Sequence, residues 1–304
     1  MAKLTANVNV SLKLFIEYLQ IEKNSSQYTI EYYQHDIREF LMFMSEQGID
    51  HFEHVQYLDV RIYLTKLYEK KLARKSVARK VSSLRSFYKF LLREEMVKDN
   101  PFSLVSIPKI EKRLPAFFYE TELDQLFKAC DLTTPLGQRN KALLELLYAT
   151  GIRVSELCQI SLKDLDMFIS TVLVHGKGQK QRYVPFGSFA HDALELYIQQ
   201  GRQEILSSKK DDHDFLFVNF RGGPLTPRGV RTILNSVIDR SALSGKIHPH
   251  MLRHTFATHL LNNGADMRTV QELLGHAFLS STQVYTHVTK EFLRKTYMSH
   301  HPRA

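Results

Sequence analysis

Between Asn100 and Pro115 the helical periodicity that fills the start of this 304-residue chain stops. Proline disfavours helical geometry in the residue before it, so Asn100-Pro101 is expected to end the last helix of the first part. The stretch Ser106-Ile107-Pro108-Lys109-Ile110-Glu111-Lys112-Arg113-Leu114-Pro115 is charged, carries proline near each end and has no apolar stripe. Those are the features of an interdomain linker. The chain is therefore read as an N-terminal helical domain over 1–105, a linker over 106–115 and a second domain over 116–304, a division that also suits its length.

Before the break, four stretches carry apolar residues at helical spacing. Ser11–Glu22 has Leu12, Phe15, Ile16 and Leu19; Thr29–Gln47 has Ile30, Tyr33, Ile37, Phe40, Leu41 and Met44. Leu58–Lys70 has Val60, Tyr63, Leu64 and Leu67; Ser76–Glu95 has Val77, Val81, Leu84, Tyr88 and Leu91. Each stripe needs a partner to bury against, so the four make a small bundle. The fourth stretch is also basic. Lys75, Arg79, Ser82, Ser86, Lys89 and Arg93 lie largely opposite its apolar stripe, and Glu69 is the only acid between positions 66 and 93. Lys, Arg and Ser bond phosphate oxygens, so Lys75, Arg79, Ser82 and Lys89 are candidate DNA contacts. A solvated cationic face is the plainer alternative.

After the break the pattern changes. Leu123, Leu126 and Phe127 mark a helix, and Arg139–Thr150 is a strongly apolar helix ended by Gly151. Ser170–His175 has the β-branched bias of a strand, Gly176–Lys180 is a turn, and Gln181–Pro185 reads as the returning strand of a hairpin. Helices are expected again at about 189–206, 227–240, 250–263 and 267–274. The fold class is mainly α with a small β-hairpin. Lys+Arg outnumber Asp+Glu by 41 to 32, a net charge of +9 that leans toward a polyanionic partner. Two cysteines, Cys130 and Cys158, argue against a disulfide framework or a cysteine zinc site. No apolar run approaches the ~20 residues of a membrane span, and the first residues hold no signal core. A cytoplasmic chain without membrane insertion is expected.

Several positions carry chemistry. Arg153 follows the helix break in Thr150-Gly151-Ile152-Arg153-Val154-Ser155-Glu156-Leu157. Lys177 sits between Gly176 and Gly178, where a backbone can approach a ligand closely. In His248-Pro249-His250-Met251-Leu252-Arg253-His254, His250 and Arg253 share one face at a helix start, a place that suits an anion. His276 follows Leu274-Gly275, and Tyr285 comes nine residues later. A metal held by His250, His254 and His259 is the competing reading, but no carboxylate is interleaved as in a zincin. Together, two arginines, a lysine, two histidines and a tyrosine suit phosphoryl transfer without metal. Arginines clamp non-bridging oxygens, a deprotonated tyrosine attacks, and a lysine protonates a leaving alkoxide.

In this ordered series the whole chain resembles the tyrosine recombinases, or phage integrase family, and within it the bacterial Xer recombinases. The resemblance rests on Thr-Gly-Ile-Arg-Val-Ser-Glu-Leu, His-Gly-Lys-Gly, His-Pro-His-Met-Leu-Arg-His-Thr-Phe-Ala-Thr-His, Leu-Leu-Gly-His and Val-Tyr-Thr-His. It implies an N-terminal SAM-like helical core-binding domain and a C-terminal catalytic domain. It implies that Arg153, Lys177, His250, Arg253, His276 and Tyr285 are the six catalytic residues, with Tyr285 the nucleophile, Lys177 the general acid and Glu156 the orienter of Arg153. Lys180 and Arg182, close to Lys177, are then phosphate contacts. No cofactor, metal or ATP is implied.

The reaction so implied is transesterification of DNA through a 3′-phosphotyrosyl link. The implied partners are double-stranded DNA with a dif-like site, a second XerD-like recombinase in a cyclic heterotetramer, and an FtsK-type translocase. The tail, a helix over Thr289–Met298 with Phe292, Leu293 and Tyr297, is expected to dock on a neighbouring subunit, its own core being the alternative. A phage or transposon integrase, a type IB topoisomerase-like enzyme and a non-catalytic DNA-binding protein are the competing functions.

Overall fold

The computed structural model describes residues 2–23, 25–106, 117–176, 180–207, 213–241, 243, 249–275 and 290–304, and of residues 2–9, 249 and 290 the backbone only. The chain forms two compact units, Met1–Arg113 and Leu114–Ala304. All but Ser106 of the expected linker lies outside the described residues.

The first unit is a bundle of α1 (Ala2–Ile21), α2 (Gln27–Glu46), α3 (Tyr57–Glu69) and α4 (Arg74–Arg93). These are the four expected helices, with α1 starting earlier than its apolar stripe. Local chemistry sets the starts. Ser26 caps α2 by accepting from the Thr29 amide at 3.3 Å, and the Asp59 carboxylate takes the Gln56 amide ahead of α3 at 2.8 Å. The stripes meet in an aromatic core in which Phe15, Phe40, Phe87, Tyr88 and Phe102 are fully buried. Edge-to-face pairs at 5.1 Å (Phe15 and Phe87) and 5.3 Å (Phe40 and Phe102) knit it together.

The end of α4 lies within two residues of the expected Glu95, but what ends it differs from the expectation. The helix stops at Arg93, before the Asn100-Pro101 pair is reached. Glu95 takes a left-handed φ of 55°, and the Met96 amide returns to the Leu91 carbonyl at 2.9 Å. That reversal lets Val97, Phe102 and Val105 fold back onto the core. Asn100 holds the returning segment, donating to the Arg85 carbonyl and accepting from the Phe102 amide.

The second unit is built around α6 (Pro135–Thr150), preceded by α5 (Glu120–Lys128). Thr134 caps α6 and Pro135 fills its first turn, where a missing N–H costs nothing. Gly151 ends it with φ 59°; a Cβ there would meet Phe256 at 2.5 Å. From Ala142 to Thr150 every residue of α6 is buried, which explains why that stretch is apolar apart from Glu145 and Thr150. After the short α7 (Val154–Leu157) comes an antiparallel sheet of β1 (Leu165–Asp166), β2 (Thr171–His175) and β3 (Gln181–Pro185). The hairpin is as expected, with Val172 opposite Val184 and His175 opposite Gln181. The third strand, two residues long, is too short to show a period in sequence.

The stretch expected as one helix over 189–206 is α8 (Ser188–Leu196) and α9 (Arg202–Leu206), joined by a π-type turn at Tyr197–Gly201. Gly201 is pressed against Pro135, whose carbonyl a Cβ would meet at 3.0 Å. Then follow α10 (Pro227–Arg240), α11 (Pro249–Asn262), α12 (Met267–Leu274) and α13 (Lys290–His300).

In this chain the C-terminal tail closes its own unit. Tyr297 is fully buried, and its hydroxyl accepts from the Gly187 amide at 3.0 Å. Arg303 forks onto the buried Glu145 carboxylate at 3.0 and 2.5 Å and stacks over Phe189 at 3.8 Å. Buried His301 stacks on Tyr297 at 4.8 Å and packs against Tyr148 and Phe256, and its Nδ1 accepts from the Arg303 amide. Burial pushes the His301 imidazole from an ordinary 6.5 down to about 3. Between those values the unfolded chain binds a proton that the folded chain does not, so folding stability falls as pH drops below 6.5. One such group contributes a slope approaching about 1.4 kcal/mol per pH unit. His301→Phe, which keeps an aromatic ring in place, is expected to flatten that acid-side slope in urea denaturation, and equal slopes for variant and wild type would contradict this origin.

Candidate active site

The site begins where α6 ends. Gly151 turns the chain, Ile152 is buried, and Arg153 sits at the N-cap of α7 with its side chain 40% exposed. Three residues on, the Glu156 carboxylate reaches back. It accepts from the Arg153 amide at 2.9 Å and from Arg153 Nη1 at 2.8 Å. The expected orienting contact is therefore present. Glu156 has a further partner that the sequence did not disclose: Arg182 of β3 donates Nη2 to Oε2 at 2.9 Å and Nη1 to Oε1 at 3.3 Å. Burial alone would raise the Glu156 carboxyl, but the hydrogen bonds from Arg182 and Arg153 outweigh it and hold the group below its ordinary range.

Arg253 joins this cluster from α11. Its Nη1 donates to the Gly151 carbonyl at 2.6 Å and its Nη2 to the Leu274 carbonyl at 2.7 Å. Arg182 Nε takes the neighbouring carbonyl, Leu273, at 3.1 Å. Two arginines thus cap the C-terminal end of α12, where exposed carbonyls favour cations. Burial, together with nearby Arg153, pushes the Arg253 guanidinium down to about 10. It stays charged at neutral pH. Three guanidinium groups around one carboxylate leave the cluster positive, and Arg153 is the most exposed of the ion-paired pair. The arrangement suits a phosphodiester, whose non-bridging oxygens need charged, pre-positioned donors.

Arg182, expected as a phosphate contact, has partners within the protein. Its guanidinium is engaged with Glu156 and Leu273, and its side chain is 17% exposed. The alternation of β3 places it inward, toward Glu156. Lys180 is exposed beside the hairpin turn, which closes through a 2.7 Å bond from the Gly176 amide to the Lys180 carbonyl. His250 is exposed in the first turn of α11, three residues before Arg253. Lys177, His276 and Tyr285 lie outside the described residues. Of the histidines weighed for metal, His259 turns into the core, its Nδ1 2.7 Å from the Tyr148 hydroxyl. Among the described residues no group of three or more His, Cys, Asp or Glu is placed to hold a metal ion.

In the first unit, the basic face of α4 is only partly as expected. Lys75, Ser82 and Lys89, seven residues apart, are exposed on one face. Arg79, read as a DNA contact, pairs with the fully buried Asp36 and lies over the Tyr32 ring at 4.9 Å. Lys80 is buried between Asp36 at 3.1 Å and Glu39 at 2.5 Å, and Arg93 pairs with Glu22 at 2.8 Å. The acids come from other helices, which a count along α4 does not see. The sequence reading also passed over α10, whose exposed face carries Arg228, Arg231 and Asn235. Their i, i+3, i+7 spacing was the available signal.

Known proteins agree with this layout. Residues 116–291 match the phage integrase family, and residues 12–95 match the phage integrase N-terminal SAM-like domain. The chain is similar to tyrosine recombinase XerC of Bacillus licheniformis, 65% identical over 299 residues and 98% of each chain. It is likewise similar to tyrosine recombinase XerC of Bacillus subtilis, 61% identical over 298 residues and 98% of each chain. A solved structure of XerH site-specific recombinase bound to difH substrate, 24% identical, covers 90% of this chain and 79% of its own with a TM-score of 0.66, so the fold is shared. The match runs through both units and extends at high identity across nearly the full length, and the chain therefore belongs to the phage integrase family of tyrosine recombinases, in its Xer subfamily and nearest the XerC kind.

Proposed function

We propose that Arg153 and Arg253 clamp the scissile phosphate of DNA while Tyr285 attacks it. The observation that carries this reading is the cluster of Arg153, Arg182 and Arg253 around Glu156 at the junction of α6, α7, β3, α11 and α12. As a site-specific tyrosine recombinase the enzyme transfers DNA strands. The phenolate oxygen of Tyr285 forms a bond to phosphorus, the bond to the 5′-oxygen breaks, and Lys177 gives that oxygen its proton. A 3′-phosphotyrosyl link and a free 5′-hydroxyl result. A 5′-hydroxyl of the partner duplex then attacks the link and releases Tyr285. One phosphoester replaces another, so no ATP is needed. His250 and His276 hydrogen-bond the phosphate and assist proton transfer.

The substrate is double-stranded DNA with a dif-like site, a reading supported by the XerC names of its relatives and by the difH substrate of XerH. Lys75, Ser82 and Lys89 on α4, Lys180 beside the hairpin turn, and Arg228 and Arg231 on α10 contact its backbone. Residues 1–105 form the core-binding domain, 106–115 the linker and 116–304 the catalytic domain. The chain acts in the cytoplasm with a XerD-like partner in a heterotetramer, and an FtsK-type translocase activates it.

Covalent capture tests the assignment. On a nicked dif-like duplex in EDTA, the wild type with its partner recombinase is expected to give a denaturation-resistant protein–DNA band. Tyr285→Phe is expected to bind the duplex and give none; a band of wild-type strength from the variant would remove Tyr285 from the role. Arg153→Ala or Arg253→Ala should slow attachment by roughly 10²–10³-fold per lost donor, and a loss under tenfold would contradict the clamp. Lys177→Ala should regain cleavage on a duplex whose bridging 5′-oxygen is replaced by sulfur, a leaving group that needs no proton. Rescue of Lys180→Ala in its place would move the general acid to Lys180.

A further inference from the structure

Arg182 is not one of the six residues of the recombinase set, yet it touches the supports of two of them. It holds Glu156, the carboxylate that also carries the Arg153 amide and guanidinium. It holds the Leu273 carbonyl, next to the Leu274 carbonyl that anchors Arg253. We infer that Arg182 is a positioning residue of the phosphate clamp: it locks α7 and the end of α12 at one spacing, and through Glu156 and the α12 carbonyls it fixes where Arg153 and Arg253 point. The inference rests on the clamp reading above.

The surroundings are shaped for this role. Gly275 adopts φ 65°, and a Cβ there would come within 2.9 Å of the Arg182 guanidinium. The backbone of α12 thus closes directly over Arg182. The guanidinium is planar and has donors in a fixed fork, so it can serve a carboxylate and a carbonyl at once. Lysine has one nitrogen on a flexible stem and cannot reproduce both directions. Without Arg182, Glu156 would keep Arg153 but lose its tie to β3, and the α12 end would lose one of its two cationic caps. A shift of about 1 Å in a positioning group costs on the order of 10²-fold in rate.

Positioning and direct phosphate contact give different readouts. A residue that neutralises a phosphate contributes about 0.9 to the slope of log affinity against log salt. Single-turnover attachment to the nicked dif-like duplex and the salt dependence of binding would be measured for full-length Arg182→Gln, Arg182→Lys, Glu156→Gln, Arg153→Ala and the Arg182→Gln/Glu156→Gln double variant. Arg182→Gln is expected to slow attachment about 10²-fold with an unchanged salt slope. Arg182→Lys is expected to be slow as well. The double variant is expected to be no slower than the slower single one, because both substitutions break the same linkage. A slope reduced by about 0.9, with Arg182→Lys restoring rate, would make Arg182 a phosphate contact and overturn the inference. Multiplicative losses in the double variant, or an undiminished Arg182→Gln rate, would overturn it too. Arg153→Ala separates the two levels: if it also attaches at the wild-type rate, the clamp reading itself fails. Thermal unfolding of each variant accompanies the kinetics. Should Arg182→Gln melt below the assay temperature, Arg182→Lys carries the rate comparison: slow attachment supports positioning, and a wild-type rate overturns it.

Discussion

The catalytic unit depends on one shared carboxylate. Glu156 is nearly buried, and a buried ionised group is costly unless its oxygens are fully occupied. Here they are, by the Arg153 amide, the Arg153 guanidinium and the Arg182 guanidinium. The same contacts that keep the charge tolerable tie the break after α6 to the hairpin. Arg253 extends the linkage by taking the Gly151 and Leu274 carbonyls, so the ends of α6 and α12 are fixed to one another. Glycines at 151 and 275, both in left-handed conformation, let the chain turn tightly enough for this.

In the proposed clamp, a positive cluster assembled this way would stabilise charge developing on a phosphate without moving during the reaction. Donors already held by carbonyls and a carboxylate need little reorganisation, and electrostatic pre-organisation of this kind is the largest contribution many enzymes make. The first unit applies the same device to a different end. Asp36 is fully buried and collects Arg79, Lys80 and Ser83 from α4. Breaking such a pair leaves an uncompensated buried charge, a penalty of roughly 3–5 kcal/mol, which explains why these basic groups stay inside. Lys75, Ser82 and Lys89, which stay outward on one face of α4, are surface open to a polyanion.

Much of this was legible in the sequence because it is local. Apolar spacing disclosed the four helices of the first unit, and β-branched residues around Gly-Lys-Gly disclosed the hairpin. Glu156 as the orienter of Arg153 follows from the family resemblance, and the contact is local, the two being three residues apart. What sequence reading missed depends on contacts between distant residues. Nothing near position 182 announces a carboxylate 26 residues earlier, so the tie between Arg182 and Glu156 is invisible in sequence. Nothing within α4 announces Asp36, 43 residues before Arg79. The end of α4 was legible to within two residues, but its cause was not. Proline at 101 is an obvious stop, but the helix had already ended at a non-glycine residue in left-handed conformation, a state with weak sequence signature.

The central claim is that the cluster around Glu156 receives the scissile phosphate. The most direct measurement is a structure of the chain with its partner recombinase on a nicked duplex, trapped at the cleavage step. The account predicts non-bridging phosphate oxygens at about 3 Å from donors of Arg153 and Arg253, with Glu156 still joining Arg153 to Arg182. A phosphate seated away from both arginines, or Arg182 swung off Glu156 onto the phosphate, would contradict it.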